Sequence, residues 1–475
     1  MRKLKLITKN IIWTLDSYKQ LHPNMYPAGT TRVASYAEAR SGSEYDYSVF
    51  FGLQYNLIHW LEGVVITKEM VDEAEPYLQE HFKFNGWGIW SRTKWDYIIE
   101  KFGGKLPVKI CAVPEGLRIP KSNILFRIRN TDDNCWWLSN SLETVLQQVW
   151  YPIAVATRSN YIINTIREAF KKSVDDDMQW LISFMLHDFG QRATTCMEQA
   201  GIGGMAHLVN SQGTDTDMAI PYAVNYYGAD KVNLCYSVPA DEHSIATSLG
   251  RDGEYQVAQN LCKLFPTGIL SKVSDSYGIE NAVKEYCTGK TKEFILVREG
   301  KFVVRPDSKR WKGDKPSAQV LWIVQQLDAG FGVTINKKGF KCLNPKVGVI
   351  YGDGLSEYEI VECVQVLLDN GYAASNCVFG QGGGLLQKLN RDTIDFAIKC
   401  CAQTRDGITY DIYKEPQGGT KLSKKGMLKL VKDGDGYVTV NITDPRPDVL
   451  VTVFENGVIL KEYTFDEVRA NSLTK

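Results

Sequence analysis

Between residues 150 and 385 the chain repeats one pattern: a short apolar run, a cluster of Gly, Asp, Ser or Arg at its end, and often a stretch with helical spacing after it. Seven such units can be read. Met185-Leu186-His187-Asp188-Phe189-Gly190 is the first; Ala206-His207-Leu208-Val209 leads to Gly213-Thr214-Asp215, and Tyr236-Ser237-Val238-Pro239 to Glu242-His243. Gly268-Ile269-Leu270-Ser271 leads to Ser274-Asp275-Ser276, Lys301-Phe302-Val303-Val304 to Arg305-Pro306-Asp307, and Val347-Gly348-Val349-Ile350-Tyr351 to Gly352-Asp353-Gly354. The seventh, Cys377-Val378-Phe379, opens into Gly380-Gln381-Gly382-Gly383-Gly384 and an apolar-periodic helix expected near Leu385. Strands alternating with helices imply a parallel sheet, and polar residues at successive strand ends are what a closed α/β barrel needs to gather a site at one face. An open doubly wound sheet shows the same alternation, so the order alone leaves closure undecided.

The flanks read differently. The first 150 residues mix β-prone stretches, Lys109 to Val113 and Ile124 to Ile128, with a helical one from Lys68 to Phe82, and Leu142, Val145, Leu146 and Val149 fall at helical spacing as one buried stripe. After residue 390 come a basic loop from Lys414 to Lys425 and β-like runs at Val438 to Ile442 and Leu450 to Phe454. The expected class is α/β, with a β-rich α+β domain begun by residues 1–150, a barrel carrying the active site over 151–385, and a return to the first domain over 386–475.

Composition narrows the function. With 475 residues, 44% apolar and 23% charged, the chain is an ordinary folded protein rather than a disordered one. Lys plus Arg number 55 and Asp plus Glu 55, so the net charge is zero and a general nucleic-acid binder is disfavoured. Eleven cysteines without a C-x-x-C pair argue against a zinc ribbon or a disulfide framework and for buried free thiols. Lys9 and Asn10 interrupt the apolar run a signal peptide would need, and no stretch is apolar enough to span a bilayer. A cytoplasmic location is the expectation.

Several groups carry chemistry. Glycines at 380 and 382–384 before a helix start let backbone amides approach an anion, so phosphate is the natural ligand; a flexible turn is the plain alternative. The run is neither G-x-G-x-x-G nor a Walker loop, and Gly289-Lys290-Thr291 fails as one because Lys284 stands where its first glycine belongs. Arg305 and Asp307, two apart at a strand end, share one side of the chain and could serve a sugar hydroxyl, a carbonyl oxygen or a metal, or form a structural ion pair. Asp215, Asp275 and Asp353 sit at equivalent strand ends; one alone would be a helix cap, whereas four with Asp307 suit hydroxyl or Mg²⁺ coordination. His243, after Glu242, could be a nucleophile, an acid-base group or a structural histidine. Arg391, Lys399, Lys414 and Lys421 could neutralise a pyrophosphate, or be a solvated face. Together these groups converge on a phosphorylated sugar.

The motifs Asp16-Ser17-Tyr18-Lys19, Tyr36 to Arg40, Phe51-Gly52-Leu53-Gln54-Tyr55, His187 to Arg192, Gly213 to Thr216, Tyr236 to Ser244, Val273 to Tyr277, Arg305 to Ser308, Gly352 to Gly354 and Gly382 to Lys388 stand in the order found in the nicotinate/nicotinamide phosphoribosyltransferase family, which the chain resembles from about Ile12 to Ala470. The resemblance implies the type II phosphoribosyltransferase fold, an irregular α/β barrel packed with a β-rich domain, in a homodimer with shared active sites. It implies transfer of phosphoribosyl from phosphoribosyl pyrophosphate to nicotinamide, giving nicotinamide mononucleotide and pyrophosphate in NAD salvage. Mg²⁺ is the implied metal and ATP an activating co-substrate, with no nucleic acid or membrane as partner.

By the same resemblance, Phe189 and Tyr18 of the second subunit would sandwich the pyridine ring, with Asp16 beside it. Asp215 would accept from the carboxamide and disfavour nicotinate, and Arg305 would lie near the amide oxygen or the ribose. Arg192, Ser271, Gly383 and Gly384 would hold the 5-phosphate side of the substrate, and Gly352, Asp353 and Asp307 its ribose. Arg40, Arg391, Lys399, Lys414 and Lys421 would receive pyrophosphate, some from the second subunit. His243 would be phosphorylated by ATP, with Glu242 and Asp275 orienting it, and Asp275 and Asp307 would hold Mg²⁺, through water. The chain departs from the family pattern at Gln381, where serine is usual, at Asp241, where alanine is usual, at Lys309-Arg310-Trp311-Lys312, where a shorter link is usual, and in a compressed Gly250 to Phe265. A nicotinate-specific transferase and a non-catalytic regulator that binds NAD precursors are the alternatives.

Overall fold

The computed structural model describes residues 10–85, 90–417 and 422–474. It falls into two compact units, one of Met1–Thr157, Asn225–Ala229 and Asn390–Lys475, the other of Arg158–Val224 and Asp230–Leu389. In the first, strands Thr30–Ala39, Val108–Ala112, Asn123–Asn130, Phe396–Arg405, Ile408–Asp411, Val451–Glu455 and Val458–Ile459 form an antiparallel sheet in which Thr30–Ala39 lies between Asn123–Asn130 and Phe396–Arg405. The expected strands at 109–113, 124–128, 438–442 and 450–454 and the helix from Lys68 are all present within a residue or two. The stripe Leu142, Val145, Leu146 and Val149 is buried, but Leu142 lies between two short helices, Leu138–Ser141 and Glu143–Gln147, and Val149 just after the second.

The second unit is the barrel. Its parallel strands Leu186–Asp188, Gly213–Thr214, Thr267–Val273, Glu299–Arg305, Val347–Tyr351 and Cys377–Gln381 make one sheet whose edges are Gly213–Thr214 and Thr267–Val273. The extended segment 236–240 closes the gap: Tyr236 bridges Gly213 and Ala240 bridges Ser271, both in parallel. Around the ring the seven staves follow chain order, 186, 213, 236, 267, 299, 347 and 377, so every strand end named in the sequence opens at the same rim. The staves are held by apolar contact on both faces, as parallel strands are. Leu186, Leu270, Phe302, Val304, Val349, Tyr351 and Phe379 are buried with Ile323, Val324 and Leu327 of helix Pro316–Phe331 and Ile360, Val364 and Leu367 of helix Glu357–Asp369. Truncating one such side chain, as in Phe302→Ala, costs about 3–5 kcal/mol.

Three local expectations need correction. Ala206 to Leu208 end a helix, Met197–Leu208, and the strand of that unit is only Gly213–Thr214. The helix is rich in glycine because its neighbours press close: a Cβ at Gly201 would lie 2.4 Å from the Tyr222 ring, and one at Gly204 would lie 2.8 Å from the Ala219 Cβ. Tyr236 to Pro239 is no regular strand, since Pro239 has no N–H to give a ladder and the segment is fixed by its two bridges. The helix placed near Leu385 is a single turn, Gly383–Leu386. All eleven cysteines are free; most are buried, while Cys196 is exposed. Among the described residues no helix is long and apolar enough to cross a membrane.

Candidate active site

Phe189 leaves the first stave and its ring lies over the ends of two others. A Cβ at Gly380 would meet the ring at 2.0 Å and one at Gly352 at 2.8 Å, so only glycine leaves room for it. Its amide donates to the Gln381 carbonyl at 2.8 Å, and the His187 ring stands 5.0 Å from it. Asp215, at the end of the next stave, is tied to the same place by its amide, which donates to the Asp188 carbonyl at 2.8 Å. His187 Nε2 lies 3.0 Å from Asp215 Oδ1, and the Ser237 hydroxyl donates to the same oxygen at 2.5 Å. Burial alone would raise this carboxyl, but hydrogen bonds from His187 and Ser237 and the charge of Arg305 hold it below the ordinary aspartate range. A flat ring and a committed carboxylate therefore stand together. His187 and Ser237 were not foreseen as partners; alternation puts His187 on the face opposite Asp188, the one available signal.

Beneath them Asp188 is fully buried. Its carboxyl accepts from the Gly190 amide at 2.7 Å, fixing the turn that carries Phe189. Burial outweighs this bond and those from Thr216 and Thr214, and pushes the group up to about 6.

The glycine loop packs on the same turn. Gly382 faces the Phe189 carbonyl, and Gly383 faces Ala193, the neighbour of exposed Arg192. Arg158 Nη1 donates to the carbonyls of Gly384 at 2.7 Å and Lys388 at 3.0 Å, tying down the far end of the turn. Gln381 points inward instead, donating to the Leu355 carbonyl at 2.9 Å, so its departure from serine is a packing matter. Ser271 is buried within its strand, and its hydroxyl has no hydrogen-bond partner.

Farther round the rim His243 begins a short helix, His243–Ala246, with Glu242 as its exposed cap residue. Ser276 Oγ lies 3.1 Å from its Nδ1, while Nε2 lies 3.6 Å from Asp275 Oδ1 and 3.5 Å from Asp307 Oδ2. Asp275 is nearly buried, and its Oδ2 accepts from the Asp307 amide at 2.9 Å and from the Ser308 hydroxyl. Asp353 joins this acidic group: burial first, then the charges of Asp307 and Asp275, push its carboxyl up. Asp275 Oδ1 is buried without a hydrogen-bond donor. Lys309 opposes the shift of Asp353, and among the described residues no group of three or more His, Cys, Asp or Glu side chains closes around a metal ion. Arg305 donates to the Asp241 carbonyl, and its buried Nε has no partner.

The first unit holds the remaining expected residues. Tyr18 is 61% exposed and, with Lys399, lines an open groove of about 500 Å³. Asp16, beside it in sequence, accepts from the Thr144 hydroxyl at 2.9 Å. Lys399 is lowered by burial and by the nearby charges of Arg40, Lys414 and Arg391, against Glu143. Lys399 therefore feels the other three cations. Arg40 is clamped by Asp395, which takes its guanidinium on both a carboxylate oxygen and a backbone carbonyl. Lys421 lies outside the described residues.

Two sequence families match this chain: the nicotinamide phosphoribosyltransferase N-terminal domain over residues 10–110 and the nicotinate phosphoribosyltransferase family over residues 184–457. The chain is 40% identical to a nicotinamide phosphoribosyltransferase of Xanthomonas campestris, covering 98% of both chains. It is 32% identical to one of Acinetobacter baylyi, covering 97% of this chain and 96% of that one. Among solved structures it resembles in fold a nicotinate-nucleotide pyrophosphorylase from Pyrococcus furiosus, with a TM-score of 0.59 at 15% identity over 100% of this chain and 97% of that one. Human nicotinic acid phosphoribosyltransferase gives a TM-score of 0.55 at 13% identity over 96% and 92%.

Proposed function

The chain belongs to the nicotinate phosphoribosyltransferase family, and we propose that within it this protein works on the amide: it transfers phosphoribosyl from phosphoribosyl pyrophosphate to nicotinamide, yielding nicotinamide mononucleotide and pyrophosphate for NAD salvage. The observation that carries the choice of substrate is Asp215, a carboxylate fixed by His187 and Ser237 beside the Phe189 ring. It accepts from the carboxamide NH₂ and repels the carboxylate of nicotinate. Phe189 stacks on the pyridine, with Tyr18 of a second copy on the other face and Arg305 turned to the amide oxygen or the ribose.

Arg192 and the amides of Gly383 and Gly384 take the 5-phosphate, and Asp307 and Asp353 the ribose hydroxyls. The pyridine nitrogen attacks the anomeric carbon, and the bonding pair to the pyrophosphate oxygen leaves with pyrophosphate. Positive charge then grows on the ring beside the Asp275, Asp307 and Asp353 carboxylates. Negative charge grows on the leaving group, which Arg40, Arg391, Lys399, Lys414 and Lys421, contributed in part by the second copy of a homodimer, receive. Asp275 and Asp307 are the residues that would hold Mg²⁺, which when bound would supply further charge neutralisation for the diphosphate. His243, its ring placed by Ser276 on one side and two carboxylates on the other, would take the terminal phosphoryl group of ATP, with ADP leaving, and so tighten substrate binding.

The test is to incubate the protein with phosphoribosyl pyrophosphate and Mg²⁺, with nicotinamide or nicotinate and with or without ATP, and to follow mononucleotide and pyrophosphate. Faster turnover of the acid identifies a nicotinate enzyme. Mononucleotide binding without pyrophosphate release identifies a regulator. His243→Ala should abolish the ATP stimulation and leave slower ATP-independent synthesis; a retained ATP effect removes the histidine from the mechanism.

A further inference from the structure

The barrel has one weak seam. Six staves are joined by regular parallel ladders, whereas the segment 236–240 is held by one bridge on each side. Directly after it, Asp241 is buried against Lys272 of the next strand: Lys272 Nζ lies 3.0 Å from Asp241 Oδ2, with the side chains 0% and 2% exposed. Asp241 Oδ1 accepts from the Val273 amide at 2.7 Å, and Lys272 Nζ donates to the Val273 carbonyl at 2.6 Å. The Asp241 amide in turn donates to the Ser271 carbonyl at 3.2 Å. On its outer side the Asp241 carbonyl receives the guanidinium of Arg305, from the strand after that. One residue thus joins three consecutive staves. It stands two positions before His243 and touches Arg305, whose Nε is buried without a hydrogen-bond partner.

We propose that the Asp241–Lys272 ion pair is a positioning device that locks the seam and thereby sets where Arg305 and His243 stand at the rim. The proposal rests on the roles given above to those two residues. A buried pair is a costly way to hold a backbone, because neither charge can be removed alone without stranding the other. An apolar contact of the same volume would be no less stable, but it would leave the Val273 amide unsatisfied and the turn free to slide. The carboxylate fixes direction as well as proximity.

The experiment compares Asp241→Asn, Lys272→Met and the double variant, each assayed well below its own Tm and shown folded by circular dichroism. Each single variant strands one buried charge and should lower Tm by roughly 10 °C. The folded fraction should show KM for nicotinamide raised about tenfold or more and a reduced ATP stimulation, since displacement of a site group by about 1 Å can cost a factor of 100. In the double variant both charges are gone and the amide still has the Asn oxygen, so Tm and KM should recover together. The pair is structural only if the single variants lose Tm and keep the wild-type KM and ATP ratio, or if the double variant recovers Tm alone; either result overturns the proposal. Arg305→Lys and His243→Ala are run beside them. If those leave KM and the ATP ratio unchanged, the roles assigned to Arg305 and His243 have failed, whereas Tm coupling between 241 and 272 reports on the lock by itself.

Discussion

Asp215→Asn is the sharpest probe of substrate choice. The wild-type side chain is a carboxylate with two donors on one oxygen, His187 at 3.0 Å and Ser237 at 2.5 Å, and it is held below its ordinary range. A nicotinate carboxylate about 4 Å away would meet a repulsion of about 4 kcal/mol at an effective dielectric of 20. Asp215 is 42% exposed in the free chain, so water screens part of this and about 1–2 kcal/mol is the realistic difference. That is a factor of about 5–30 in the acid-to-amide ratio of kcat/KM. Asparagine keeps an oxygen for the amide and removes the charge, so the ratio should move toward the acid by that factor, mostly through KM for nicotinate. The assay is competition between the two substrates at limiting phosphoribosyl pyrophosphate, with both mononucleotides quantified. The sign with pH follows: a carboxyl whose titration is depressed stays charged as pH falls, so wild-type preference for the amide should persist down to pH 5. An acid-to-amide ratio unchanged by the substitution would mean that Asp215 does not face the carboxamide position.

Further outcomes follow from other contacts. Asp188 is pushed up to about 6 by burial, so its contribution to stability is complete below its unfolded value and is lost as pH rises through about 6. The Tm of wild type relative to Asp188→Asn should therefore fall by roughly 5 °C between pH 4.5 and 7.5, and a pH-independent difference contradicts the burial. Asp395→Ala frees the Arg40 guanidinium from its clamp and should raise KM for phosphoribosyl pyrophosphate roughly tenfold with kcat nearly kept; an unchanged KM removes Arg40 from substrate binding. For a homodimer with shared sites, mixing Tyr18→Ala with Asp215→Ala subunits, each impaired alone, should raise activity toward roughly a quarter of wild type, because half the dimers are mixed and each has one intact site. No recovery after subunit exchange contradicts a shared site.

The strand ends were legible because parallel strands buried on both faces read as unbroken apolar runs, as in Val347 to Tyr351, where all five residues are buried. Reading failed where small residues or proline replaced that signal. Met197–Leu208 carries three glycines, which lower helix propensity, and their reason is the press of Tyr222 and Ala219 from another helix. Segment 236–240 keeps its place through bridges and a buried ion pair, neither of which leaves a periodicity. Asp215, His243, Asp275 and Asp307 could be singled out because each follows an apolar run, and Phe189 only through the family resemblance. Their partners His187, Ser237 and Ser276 could not, because those contacts join staves 22 to 33 residues apart in sequence.

The zero net charge hides a local clustering of like charges. In the barrel unit Asp275, Asp307 and Asp353 stand close enough that Asp353 is pushed up by its neighbours as well as by burial. In the other unit Lys399 is pushed down by burial and by Arg40, Lys414 and Arg391. In each cluster a neighbour of opposite charge, Lys309 beside Asp353 and Glu143 beside Lys399, works against the shift without cancelling it. In the proposed reaction, a substrate that develops a positive sugar ring while releasing a diphosphate would offer the first charge to the carboxylates and the second to cations contributed in part by the second copy. On that proposal the groups would be relieved most at the transition state, when the charges have separated, and binding energy withheld until that point is what accelerates a reaction.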